Sequence, residues 1–271
     1  MKTWLIGYLL SIPLLLQAQS EFLLLPQDKM CWENAALANE GALREFRSNY
    51  HQTAHIFFPA IRATNLSYNH RVSAQGGSLG GNALTWLGKG HFGTAIMGRY
   101  SRNDSIGNHV TLRSGLGLGH IGNHVSNADV NQFVKSQTLF NVSLAAIYKD
   151  MVLGLSIRQP NKPQLASLGY GLYASYRLLL GRFWIKPVLW AYRDKIFIYH
   201  NFGIEVGWNE KHSFGWYPDF DHNDFGTFAY TFTLRKKLSV GIATNNLIRY
   251  RFGPGRPATE LILRWRSLTN L

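Results

Sequence analysis

Beyond its first twenty residues the chain lacks an apolar run long enough for a membrane-spanning helix, which needs about 20 consecutive apolar residues. The longest run, Leu5–Leu16, follows the positively charged Lys2 and precedes Leu16-Gln17-Ala18. A short basic start, an apolar stretch and a small-residue cleavage site are typical of a secretory signal peptide. We therefore predict a signal peptide at residues 1–18 and export of the remainder without a helical anchor.

Cysteine and acidic residues are also scarce. Cys31 is the only cysteine, which excludes an internal disulfide, and it lies too far past the predicted cleavage site for a lipid-anchored cysteine. Lys and Arg number 28 against 15 Asp and Glu, a formal net charge of +13. In an exported protein this surplus favours lipid phosphates, acidic glycans or acidic partner surfaces over nucleic acid. The simpler interpretation is a solvated interior and loops rich in arginine.

Aromatic residues and short alternating segments are abundant instead. Aromatics make up 14% of the chain, and a mean hydropathy of −0.12 is too low for a helical membrane protein. Apolar side chains alternate with Gly, Ser, Asn or Arg along residues 140–148, 151–157 and 168–178. A helix would scatter the two sets around its circumference, whereas a strand places them on opposite faces. Apolar outside and polar inside is the pattern of a transmembrane β-barrel.

The sequence thus predicts an all-β fold, an antiparallel barrel of about twelve strands with ten to fourteen admissible, in a Gram-negative outer membrane. The barrel is placed at residues 60–271, with a long loop at 122–137, and an N-terminal segment at 19–59 is predicted to be periplasmic or plug-like. The alternative is a soluble sandwich, but inward Gly, Ser, Thr and Arg would make a poor dry core.

Two histidine arrangements are candidate catalytic or metal-binding groups. His51 and His55 are four residues apart, but no Glu completes a His-Glu-x-x-His zinc motif. His109 and Ser114 could form a nucleophile pair only with a third orienting group, which the sequence does not show.

Two further patterns, an acidic triplet and two glycine-rich stretches, are candidate ligand sites. Asp219, Asp221 and Asp224 could bind calcium, but the spacing of an EF-hand is absent, so a solvated loop is the better interpretation. The glycine-rich stretches 76–81 and 115–119 lack the Gly-Lys-Ser/Thr ending of a phosphate loop. We predict no catalytic, cofactor-binding or metal-binding residue, no enzyme activity and no cofactor. No residue can be assigned to partner binding.

Several segments, in order along the chain, resemble elements of one family. They are Asn34–Gly41, Gly93–Tyr100, Asp104–Gly107, the hairpin Phe140–Ile157 and Thr259–Leu263. The resemblance is to the PorP/SprF family of Bacteroidetes outer-membrane proteins, and the hairpin carries most of it.

The resemblance implies a barrel that assists the type IX secretion system, in secretion or surface attachment of adhesin-like cargo proteins and in gliding motility. It implies as partners components of the type IX machinery, periplasmic proteins, the secreted cargo and outer-membrane lipid, with no nucleic acid. A porin or transport channel is the alternative function, and an outer-membrane enzyme a third.

Overall fold

The computed structural model describes residues 32, 34–37, 42–53, 62–72, 77–88, 91–107, 109–127, 130–160, 169–193, 198–219, 224–245 and 258–267. Within these ranges the chain forms a 3-10 helix at Ala35–Leu37 and strands β1 (Arg44–Thr53), β2 (Arg62–Arg71), β3 (Ser78–Gly88), β4 (His91–Ile106), β5 (Val110–Asn127), β6 (Val130–Tyr148), β7 (Met151–Pro160), β8 (Gly169–Tyr176), β9 (Leu178–Leu180), β10 (Phe183–Arg193), β11 (Ile198–Trp208), β12 (His212–Asp219), β13 (Asp224–Leu234), β14 (Leu238–Asn245) and β15 (Ala258–Ser267). No helix among the described residues is long and apolar enough to cross a membrane.

The strands form one closed antiparallel sheet. Neighbours along the chain pair with each other, and β15 pairs with β1 from Arg44–Ser267 to Thr53–Ala258, which closes the wall. The short strand β9 continues β8 past Arg177, and both pair with β10. The fifteen segments therefore make a barrel of fourteen strands. An even number and antiparallel closure are typical of bacterial outer-membrane barrels.

The predicted count of about twelve was too low because two strands, β1 and β12, lack the alternation that marks the others. In β1 the inward face is Glu45, Arg47, Asn49 and His51, so no apolar–polar alternation marks it. In β12, Pro218 signals a break, and the register does shift between Tyr217 and Asp219.

Two predicted boundaries are likewise corrected. The barrel begins at Arg44 rather than at residue 60, so β1 falls inside the segment predicted to precede the barrel. The long loop expected at residues 122–137 is largely strand, because β5 runs to Asn127 and β6 starts at Val130. Its polar composition resembles a loop, yet backbone pairing continues through it to Asn127–Val130.

The two faces of the wall differ sharply in polarity. In the middle of the wall Leu144, Leu155 and Leu172 are aligned across β6, β7 and β8 and are 54%, 59% and 40% exposed. The alternate residues Ser143 and Ser156 face inward and are buried. A wall with an apolar outside and a polar inside requires hydrocarbon around it. The protein is an outer-membrane β-barrel, and the sandwich alternative is wrong.

The two ends of the barrel differ in their connections. Tight turns at residues 107–109, 149–150, 181–182, 209–211 and 235–237 lie at the end where β1 starts and β15 finishes. At the opposite end the connections range from two residues, at 89–90 and 128–129, to longer ones such as 54–61 and 246–257, and all of these residues lie outside the described ranges. Short turns mark the periplasmic side of such barrels, so we name the first end the periplasmic end.

A ring of exposed aromatic side chains lies near the periplasmic end. Its members face lipid close to the turns and are Tyr68, Tyr100, Tyr148, Tyr176, Phe183, Trp208 and Trp265. Stacking joins Phe183 to Trp208, with ring centroids 6.5 Å apart, and Trp208 to His212 at 5.7 Å. We call this ring the periplasmic girdle. Aromatic girdles mark the boundary between hydrocarbon and headgroups.

Depth in the bilayer should decide what a charge on the outer face costs. Leu155→Arg at mid-wall is expected to lower the free energy of unfolding by about 2–4 kcal/mol, and the matched change Leu234→Arg beside a periplasmic turn by only about 0–1 kcal/mol. Urea unfolding of protein refolded into phospholipid vesicles measures both. Equal costs would contradict the assigned membrane boundary.

Candidate functional site

The interior of the barrel contains a piece of the N-terminal chain. Trp32 is only 1% exposed and packs among inward residues of β2 to β6, including Leu84 and Met97. Ala36 and Leu37 pack among inward residues of β6 to β10, including Tyr173 and Trp190. We call Trp32 and residues 34–37 the plug segment. It lies inside the lumen, against the wall from β2 to β10, and within the region predicted to be periplasmic or plug-like.

Polar side chains of the wall hold the backbone of the plug segment. The Ala36 amide donates to Ser143 Oγ at 2.9 Å, and the Ala35 amide donates to Asn141 Oδ1 at 3.4 Å. On the other side of the turn, Arg113 Nη1 donates to the Ala36 carbonyl at 3.3 Å. A single helical turn leaves its own amides and carbonyls unsatisfied, so these wall residues supply the partners that water would otherwise provide.

Asn34 completes the anchoring. Its Oδ1 accepts the Leu37 amide at 3.2 Å, as a helix N-cap does. Its Nδ2 donates to the Leu155 carbonyl of β7 at 3.3 Å. One side chain therefore both closes the turn and ties it to the wall.

Glycines on the inner face make room for the plug segment. A Cβ at Gly115 would collide with backbone atoms of Ala35 and Ala36, and one at Gly154 would collide with the Leu37 side chain. The 115–119 stretch, rejected as a phosphate loop, therefore lines the lumen where another backbone approaches. Close backbone approach is a common reason for glycine within a strand.

A chain of buried hydrogen bonds connects the plug segment to the β1–β15 seam. Trp32 Nε1 donates to Asn65 Oδ1 at 3.0 Å, and Asn65 Nδ2 donates to Asn49 Oδ1 at 3.4 Å. Asn49 Nδ2 donates in turn to Glu260 Oε1 at 2.5 Å. These residues stand on β2, β1 and β15, so the closing strands and the plug segment share one polar network.

A second network lies near the periplasmic mouth of the same seam. The carboxylate of Glu45 is fully buried and forms ion pairs with three guanidinium groups, those of Arg47 at 2.6 Å, Arg266 at 3.6 Å and Arg264. Buried charges persist in proteins when they are paired and hydrogen-bonded. The cluster keeps a surplus of positive charge beside the lumen.

The interior as a whole is basic. Lys186 lies 3.3 Å from Glu205 Oε2, whose other oxygen accepts the Tyr217 hydroxyl at 2.6 Å. Inward cations among the described residues outnumber the inward carboxylates Glu45, Glu205 and Glu260; they include Arg47, Arg99, Arg113, Arg158, Arg177, Lys186, Arg264 and Arg266. The lumen is therefore electrostatically suited to anions rather than cations.

The fold is shared with solved outer-membrane barrels. The deltaS2S3 mutant of TodX, a monoaromatic hydrocarbon channel, superposes with a TM-score of 0.55 at 8% identity, covering 89% of this chain and 94% of that one. The Acinetobacter baumannii outer membrane protein Omp33 superposes with a TM-score of 0.53 at 6% identity, covering 83% and 98%. No family model and no curated protein matches the sequence. At such identities the likeness concerns the fold alone.

The histidines weighed as catalytic groups are dispersed. His51 faces the lumen from β1 and is buried, while His55 lies outside the described residues. His109 is exposed in a periplasmic turn, and Ser114 is exposed on the lipid-facing side of β5. The structure thus puts Ser114 toward hydrocarbon rather than in a pocket.

The acidic triplet weighed as a calcium site is only partly described. Asp219 and Asp224 are backbone partners across β12 and β13, and Asp221 lies outside the described residues. Over the part of the chain that the structure describes, no group of three His, Cys, Asp or Glu side chains could hold a metal ion.

The contacts of the plug segment were missed by sequence reasoning, although a signal existed. Gly115, Gly117 and Gly119 recur with a period of two on the inner face of β5, alternating with lipid-facing Leu116 and Leu118. When glycines are confined to one face of a strand, they indicate that another part of the molecule approaches that face closely.

Removing the carboxylate at the seam should be costly. Glu45→Gln is expected to lower the free energy of unfolding by about 3–5 kcal/mol, because three buried or half-buried guanidinium groups lose the anion they share. The control Asp104→Asn breaks an exposed pair with Arg102, 3.0 Å apart, and should cost at most about 1 kcal/mol. Urea unfolding of the refolded protein measures both, and similar losses would contradict the assignment.

Proposed function

We propose that this barrel is an accessory of type IX secretion that supports the secretion or surface attachment of particular cargo proteins. The observation that carries the proposal is the plug segment. It lies inside the lumen and is held by Asn141, Ser143 and Arg113. A barrel whose interior is occupied in this way is poorly suited to free diffusion of solutes through the lumen. We therefore expect its functional contacts at the rims and outer surfaces of the barrel.

The resemblance to PorP/SprF proteins supports the proposal in a way that the sequence alone did not reveal. Two of the segments that carry the resemblance are Asn34–Gly41 and the hairpin Phe140–Ile157. In the folded chain they contact one another, because Asn34 donates to β7 and the amides of residues 35 and 36 donate to β6. Two of the five segments that resemble the family therefore contact each other in the folded chain.

Loss of the gene should remove one or a few large proteins from the cell surface, while other outer-membrane proteins and permeability to small solutes stay unchanged. Quantitative mass spectrometry of the surface proteome, with and without a plasmid-borne copy, measures this. The missing surface proteins identify the cargo. An unchanged surface proteome would contradict the proposal.

A gated channel is the second candidate, and a specific observation favours it. Among the described residues, the lumen is lined by more arginines than carboxylates. The likeness in fold to TodX, a hydrocarbon channel, is compatible with this function. The basic lining would favour small anionic solutes over apolar ones.

The plug segment should be the barrier in either case. In planar bilayers we expect little conductance from the wild type and a clear increase from Gly115→Val, whose side chain would collide with the plug backbone. Gly98→Val is the matched control, because a Cβ at Gly98 meets only the Leu118 carbonyl at 3.9 Å. Heat-modifiable migration on gels confirms that each variant folds. Wild-type conductance as high as that of Gly115→Val would contradict the barrier and favour the channel.

A further inference from the structure

Three neighbouring turns at the periplasmic end carry a cluster of cations. The turns are residues 181–182, 209–211 and 235–237, and the exposed cations are Arg182, Lys211, Arg235, Lys236 and Lys237. Backbone hydrogen bonds tie the turns to their neighbours, from the Asn209 amide to the Arg182 carbonyl at 2.8 Å and from the Thr233 amide to the Lys211 carbonyl at 2.7 Å. We call the five cations the basic rim. The bonds hold them on one rigid surface.

The basic rim has a large surplus of positive charge. Glu210 is the single carboxylate within these three turns, and it lies 3.7 Å from Lys236 Nζ and 3.8 Å from Arg177 Nη2. Five cations thus face one anion. The charges are balanced near two other turns of the periplasmic end, with Arg102 paired to Asp104 at 3.0 Å and Lys149 followed directly by Asp150. At the neighbouring β1–β15 seam, the guanidinium groups of Arg47, Arg264 and Arg266 share the buried carboxylate of Glu45. The exposed surplus is therefore largest in the sector of the three turns.

The depth of the basic rim decides which anion it can meet. Arg182 directly precedes the girdle residue Phe183, and Arg235 directly follows Leu234, which faces lipid. One residue advances a strand by about 3.3 Å, and each headgroup layer is about 5–8 Å thick. The cations therefore lie within the headgroup layer. A soluble partner would dock beyond that layer.

We propose that the basic rim binds the phosphates of anionic phospholipids in the leaflet that faces the periplasm. Several cations held side by side at phosphate depth, beside stacked aromatic rings, form the basic, interfacial setting that recognises such headgroups. The site is independent of both functions proposed above, because it depends on neither the lumen nor the cargo. Binding of these lipids at one end would help to orient the barrel in the membrane.

Native mass spectrometry of the full mature chain tests the proposal. Protein exchanged into detergent is incubated with phosphatidylglycerol or with phosphatidylcholine of the same acyl chains, and retained lipid is counted. We expect preferential retention of phosphatidylglycerol, and a loss of about tenfold or more of that preference in Arg235→Gln/Lys236→Gln/Lys237→Gln. Lys149→Gln, a cation in the balanced sector, is the matched control and should retain the preference.

Each alternative outcome would overturn the proposal. Equal retention of the two lipids would show that the rim does not select charge, which leaves an acidic protein as its partner. An equal loss in the triple variant and in Lys149→Gln would show that position in the rim is irrelevant. Displacement of the lipid by inorganic phosphate at matched concentration would assign the rim to free anions. Unfolding midpoints of the variants, expected to equal the wild type, separate these results from misfolding.

Discussion

Every other feature of the molecule depends on the pairing of β1 with β15. Hydrocarbon offers no partner to an unpaired backbone amide, so an open sheet edge there costs several kcal/mol per group, roughly. The seam extends from Arg44–Ser267 to Thr53–Ala258. It is also where the buried ionic cluster of Glu45 and the network of Asn49 and Glu260 reside. The first and last described strands are thus joined by both backbone and side-chain interactions.

A closed wall also creates an interior whose polar side chains need hydrogen-bond partners. Inward Asn, Ser and Arg side chains would face one another across a wide lumen, and the plug segment provides part of what they bind. Ser143 and Asn141 accept amides of the plug turn, while Arg113 donates to its carbonyl. Glycines at positions 115 and 154 leave the space for it. Wall and plug segment are complementary in both shape and hydrogen bonding.

Periodicity predicted the parts of this architecture whose two faces differ. The segments 140–148, 151–157 and 168–178 place leucine and tyrosine against glycine and serine, and the structure has strands there. It failed for β1, whose inward face is charged, and for β12, which contains Pro218. The glycines of β5 indicate a close approach, but which segment approaches could not be predicted, because the bond from Ala36 to Ser143 joins residues 107 positions apart. Local patterns do not identify partners at such a separation along the chain.

The position of the plug segment also dictates an order of assembly. The segment precedes β1 and is synthesised before every strand, yet its binding surface is spread over β2 to β10. That surface does not exist until those strands stand side by side. The plug segment is therefore made before the strands that bind it, but it is among the last parts of the described chain to settle. Until then its tryptophan and alanines remain exposed, so the unfinished barrel depends on whatever shields them during insertion.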